Sequence, residues 1–266
     1  MSNTGPDQET VKKSIGSSSN SAGPNARHPR WVRICHWIIA AGILTLAFTG
    51  IVIFMAHPRL YWGEVGNDLT PALLELPVSR NYQHGGWEGV FPFFDAASSP
   101  VSASRSYEIL NLNSWGRSLH FLAAWCLVLT GLIYVLSGTF TDHVRRHLVP
   151  GASELSGRLL WRDLINHVRL RIRPAKGGPP YGLLQKCAYL GVIFLALPML
   201  VITGLAMSPA ITAAYPFLSG VFGGVQSART IHFFLFVAML AFLVVHVLMV
   251  IMSGFSRQIR AMTFWR

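Results

Sequence analysis

Apolar and polar positions alternate along this chain in long blocks. Four apolar blocks, at about 34–56, 117–138, 183–207 and 229–252, are nearly free of charge. A bilayer core about 30 Å thick is crossed by about 20 apolar helical residues, so each block predicts a transmembrane helix. The polar intervals differ from one another. Residues 57–115 form a long segment rich in Gly and Pro that carries Trp62, Trp87 and Trp115. A connection needs far fewer residues, so part of this segment should be ordered and functional. Residues 139–182 hold Arg145, Arg146, Arg158, Arg162, Arg169, Arg171 and Arg173. Within that interval, from Glu154 to Ile172, Leu155, Leu159, Leu160, Leu164, Ile165 and Val168 recur at helical spacing. This predicts an amphipathic helix lying on the lipid surface. Residues 1–29 contain Ser, Asn, Gly and Pro without an apolar run, which predicts a disordered tail ahead of one domain over 30–262. The third apolar block holds Pro198 and no histidine, so a kink and a packing role are expected of it.

Composition narrows the class. With 52% hydrophobic and 12% charged residues among 266, the chain is too apolar for an ordinary soluble domain and too short for more than one helical bundle. A net charge of +11 could suggest nucleic acid. Its distribution points instead to membrane topology. Lys and Arg number 5 up to Arg33, 4 over 57–117, 9 over 139–186, 1 over 208–229 and 3 after residue 253. Rich and poor intervals alternate, and by the positive-inside rule both termini are cytoplasmic and 57–115 is outside. The expectation is a multi-pass membrane protein. Cys35, Cys126 and Cys187 are dispersed, with no Cys-x-x-Cys or Cys-x-x-Cys-His. They read as packing residues, and covalently attached haem is disfavoured.

The chemistry lies in four membrane histidines. His232 and His246 sit in one helix, fourteen residues apart. That interval is about 40° short of four turns and about 21 Å along the axis, so both rings leave one face at two depths. An imidazole in hydrocarbon is costly unless it is paired or ligates something, and imidazole is the usual protein ligand to haem iron. Successive helices reverse direction. His36, early in the first helix, therefore shares the inner layer with His246, and His120, early in the second, shares the outer layer with His232. Two haems, one per layer, would make a path for electrons. His28, His57, His84, His143, His147 and His167 fall in the polar intervals, and most of them are expected to be solvated.

Three of the four histidines follow an arginine by three residues: Arg33 before His36, Arg117 before His120 and Arg229 before His232. At that spacing the pair shares a face, with the guanidinium one turn nearer the water, where it could meet a haem propionate. His246 has no such neighbour. Gly42, Gly50, Gly131 and Gly204 would admit a flat macrocycle or a neighbouring helix, and packing alone also explains glycine in membrane helices.

These residues give the chain a resemblance. Arg33-x-x-His36-Trp37, Arg117-x-x-His120 and the His232–His246 interval resemble the bacterial di-haem cytochrome b561-type proteins. That group includes the cytochrome b subunits of Ni,Fe-hydrogenase and the membrane subunit of formate dehydrogenase. The strings His57-Pro-Arg-Leu-Tyr-Trp-Gly-Glu64, Leu205-Ala-Met-Ser-Pro209 and Gln226-Ser-Ala-Arg-Thr-Ile-His232 are most similar to the thiosulfate reductase cytochrome b subunit group. The resemblance implies an all-α four-helix membrane bundle holding two b haems with bis-histidine ligation. It also implies electron exchange between membrane quinone and a redox partner subunit, often a periplasmic molybdopterin-type oxidoreductase. The outer segment would dock that partner, with its Trp and Tyr residues, Arg59 and Arg80 as candidate contacts, or would cap the outer haem. The region of Asn166 and His167 lies on the expected quinone side. The alternative is a haem reductase, for superoxide or ferric ion, acting alone at the outer haem.

Overall fold

The computed structural model describes residues 29–67, 70–76, 113–141, 144–145, 148–151, 156–168 and 182–263. The predicted tail, most of the 57–115 segment including Arg80, and the arginines at 169, 171 and 173 lie outside the described residues. Among the described residues, four helices are long and apolar enough to cross a membrane. We call them α1 (Arg30–Met55), α2 (Asn113–Phe140), α4 (Leu183–Ala206) and α7 (Val225–Met252). Shorter helices are α3 (Gly157–Val168), α5 (Pro209–Ala214), α6 (Phe217–Val221) and α8 (Phe255–Met262). The chain is thus mostly helical and a multi-pass membrane protein. α1 packs along α2, and the second half of α4 along α7. Gly42 assists the first contact, since a Cβ there would already touch Leu127 and Ala123. Large apolar side chains such as Phe48, Leu122, Trp125, Leu129, Leu195 and Val244 are exposed, as lipid-facing surfaces require.

One end of the bundle carries the beginning of α1 and the end of α7, and we refer to it as the terminal end. There α8 turns back at Gly254 and meets α1. Arg33 Nη1 donates to the Thr263 carbonyl at 2.8 Å, and Trp37 Nε1 to the Met262 carbonyl at 2.9 Å. α3 also lies at this end, over part of the predicted amphipathic stretch. Its Asp163 carboxylate accepts from the backbone N–H of Leu184 at 2.9 Å, capping α4 from a separate element.

Pro198 does not break α4. The distortion takes the form of a π-helical turn over Val192–Ala196, closed by the Leu197 N–H on the Val192 carbonyl. A proline has no N–H to give and its ring crowds the preceding turn, and the wider turn absorbs both effects.

At the opposite end the segment after α1 folds over the start of α7. It contains a two-stranded antiparallel ribbon, β1 (Arg59–Leu60) with β2 (Leu74–Glu75), which the hydrophobic pattern does not predict. Pro58, Leu60 and Tyr61 are fully buried beneath it. The first N–H groups of α7 find their acceptors here. Gln226 and Ser227 donate to the Gly63 carbonyl at 3.0 and 3.2 Å, and Val225 donates to Glu64 Oε2 at 3.1 Å. Ser227 Oγ accepts from the Gly63 N–H at 2.7 Å, and Thr230 Oγ1 donates to the Tyr61 carbonyl at 2.6 Å. A carboxylate and a carbonyl thus meet the positive end of the helix that carries two of the four histidines.

Gly224 makes that approach possible. Its φ is +118°, and a Cβ there would stand 2.3 Å from the Gly63 oxygen. Gly224→Ala should lower the thermal midpoint of the detergent-solubilised protein, at a cost of about 1–3 kcal/mol for the backbone alone. Gly220→Ala, where an added Cβ meets nothing within 4 Å, should be neutral or slightly stabilising. Equal midpoints for the two variants would contradict the cap.

Candidate functional site

The four membrane histidines stand in two couples. His36 on α1 and His246 on α7 have ring centroids 6.4 Å apart, inclined at 47°. His120 on α2 and His232 on α7 have centroids 6.4 Å apart, inclined at 57°. All four rings are half-buried. The first couple is at the terminal end, the second beneath the cap.

Such a separation is too long for a hydrogen bond between the rings. Two metal–imidazole bonds of about 2 Å, extended on each side to the ring centre, come to roughly 6 Å. The residues present therefore fit a metal centre between each couple, and haem iron is the natural occupant of paired neutral imidazoles in a membrane bundle.

The surroundings of the two couples differ. At the cap end, His120 Nδ1 is 2.9 Å from Thr49 Oγ1 of α1, and His232 Nδ1 is 2.9 Å from Thr203 Oγ1 of α4. Both threonines have no exposed surface. The residue after each is glycine, and a Cβ on Gly50 or Gly204 would come within 3.6 Å of Cε1 of the same imidazole. Gly42 instead serves helix packing, and Gly131 has open space around it. At the terminal end the His246 ring lies against aromatics: Phe242 stacks at 5.8 Å and Tyr189 stands edge-on at 6.3 Å. His36 meets Trp37 edge-on at 5.4 Å.

The three arginines are placed differently. Arg33 is buried, its guanidinium reaching the Thr263 carbonyl. Arg229 is half-buried and donates through Nη2 to the His57 carbonyl at 2.5 Å. Arg117 is exposed and lies close enough to Arg229 for the two charges to repel. A further cation escapes any motif: Lys186, in the first turn of α4, is 7% exposed and one turn from Tyr189. That degree of burial sets it apart from a lysine in contact with headgroups.

Two expectations from the sequence change. His57 is not solvated: it is half-buried, with Nε2 3.1 Å from the Tyr61 hydroxyl. Burial follows from the chain reversal that begins there. Arg59 is not a free contact for a partner either. It is 6% exposed and forms an ion pair with Glu75, with Nε donating to Oε1 at 2.8 Å. Among the described residues of this segment, Trp62 and Val65, each at 62% exposure, and Leu73 at 60% face outward. Thr49 and Thr203 are the functional candidates that the apolar pattern hides. Their signal is a Thr-Gly pair, at 49–50 and 203–204, which Thr130-Gly131 shares without an imidazole against the glycine.

The family described as prokaryotic cytochrome b561 matches residues 27–265. A protein of Azospira oryzae described as "Putative protein-methionine-sulfoxide reductase subunit YedZ1" is 27% identical over 225 residues, which cover 85% of this chain and 90% of that protein. No solved structure matches the chain. With nearly its whole length matched, the chain belongs to the prokaryotic cytochrome b561 family and is a membrane electron-transfer protein.

Proposed function

We propose that the protein passes electrons across the bilayer between membrane quinone and an oxidoreductase subunit docked at the cap end. It would use two b haems, one held by His36 with His246 and one by His120 with His232. The observation that carries this reading is the pair of ring couples, each at 6.4 Å. They are joined by a fourteen-residue interval on α7, which spans about 21 Å.

When bound, haem supplies a one-electron iron couple at each depth. Everything else falls to the chain. The four imidazoles would hold the iron and leave it no free site for a substrate, which disfavours a superoxide or ferric reductase acting alone. Arg117 and Arg229 bring two positive charges together at the cap end, an arrangement that favours an anion such as a propionate between them. Arg33 and Lys186 offer buried cations at the terminal end. The excess of Lys and Arg in the terminal-end intervals supports a cytoplasmic position for both termini and a periplasmic one for the cap. The relative described as a reductase subunit supports a partner protein for this chain as well. A molybdopterin-type oxidoreductase is the partner class we favour, with quinone at the terminal end.

Two sets of variants test this. His232→Ala should remove about half of the haem measured as pyridine haemochromogen and leave the terminal-end couple intact, and His246→Ala should do the converse. If the two variants left the same spectral component, separate layers would be excluded. Arg117→Leu is the cleaner charge change, because Arg229 also anchors the cap through His57. It should lower the midpoint potential of one haem component, since a nearby cation favours the reduced, less positive state. The expected scale is about 1 kcal/mol for a charge some 15 Å away at an effective dielectric of about 20. An unchanged redox titration would reject the propionate role. Electron delivery to a periplasmic oxidoreductase should fail in a strain lacking the protein. If delivery persisted while a soluble-acceptor reductase activity disappeared, the stand-alone reading would replace this one.

A further inference from the structure

The hydroxyl groups beside the cap-end couple decide which nitrogen of each ring is available. Thr49 Oγ1 lies 2.7 Å from the Thr45 carbonyl and 3.3 Å from that of Leu46. Thr203 Oγ1 lies 2.7 Å from the Met199 carbonyl and 3.2 Å from that of Leu200. A threonine hydroxyl has one proton and a carbonyl has none, so both threonines donate back into their own helices. The remaining 2.9 Å contact then runs from imidazole Nδ1–H to the hydroxyl oxygen, with the Leu46 carbonyl beside His120 and the Leu200 carbonyl beside His232 as further acceptors. In both rings Nδ1 carries the proton and Nε2 carries the lone pair.

The arrangement is duplicated, not incidental. In each case the threonine sits on the helix packed beside the histidine's own, α1 beside α2 and α4 beside α7. Each is followed by a glycine whose Cβ, if added, would touch Cε1 of that ring at 3.6 Å. Couples at the two ends are therefore treated differently. His246 is bounded by Phe242 and Tyr189, whose rings meet its faces and edge.

We infer that Thr49 and Thr203 are positioning residues that fix the Nδ1–H tautomer and the orientation of His120 and His232, so that both Nε2 atoms are presented to one metal centre. This rests on the proposed haem site. A neutral hydroxyl is a modest acceptor. It orients each ring and raises its basicity slightly, without the stronger push that a carboxylate would give. The two threonines thus act on the potential of the cap-end haem and on its retention.

The test compares two substitutions at each threonine in the purified, haem-loaded protein, read by potentiometric titration and low-temperature electron paramagnetic resonance. Val keeps the shape and removes the acceptor; Ser keeps the acceptor and removes a methyl. Thr203→Val and Thr49→Val should raise the midpoint of one haem component, or release that haem alone, because the imidazole loses electron density. The Ser variants should resemble the wild type, and the other component should stay unchanged in all four. Val variants like the wild type, Ser variants that are altered instead, or equal movement of both components would overturn the inference and assign the threonines to packing. Failure of the haem reading is distinguishable, because wild-type protein would then lack two low-spin components before any threonine is changed.

Discussion

Imidazole in a hydrocarbon medium needs a partner, and that constraint organises this molecule. The rings at 36, 120, 232 and 246 would each be a liability on an isolated helix. Placed in couples with centroids 6.4 Å apart, they leave room for one metal centre between the two rings of each couple. α7 contributes to both couples, so its depth and rotation set the whole arrangement. α1 and α2 then supply one ring each from the opposite side.

What holds α7 at its depth is polar, not apolar. Its first turn is capped by Gly63 and Glu64, and Thr230 and Arg229 reach carbonyls of the same reversing segment. Those groups would be orphaned at a helix start placed in lipid, so the cap supplies stability and register together. Because the cap begins directly after α1, the chain ties the first and last membrane helices to each other at one end. The contact of α8 with Arg33 and Trp37 ties them at the other. Electron transfer depends on fixed spacing, and both ties serve that end.

The four spans were legible because lipid makes hydropathy nearly sufficient to place a helix; the first, second and fourth begin about four residues before their apolar blocks, in interfacial sequence, and the third matches its block to one residue. The depth of each histidine followed from helix direction and the fourteen-residue interval. The ribbon at Arg59–Leu60 was hidden because two-residue strands have no period to read. The burial of Arg59 and His57 was hidden because it depends on a contact with α7 some 170 residues away in the chain. Thr49 and Thr203 carried a signal only as a repeated Thr-Gly pair, which in a membrane helix is as readily explained by close packing. The form of the Pro198 distortion was also beyond sequence, since a π turn and a kink satisfy the same missing N–H.

The central claim is that each facing couple grips one haem. The most direct measurement is the haem-to-protein ratio of the purified wild-type chain, taken with its low-temperature electron paramagnetic resonance spectrum. Two haems per chain, both low-spin and without a high-spin signal, are what paired imidazoles predict. A ratio of one or zero, or a predominantly high-spin spectrum in intact protein, would contradict it.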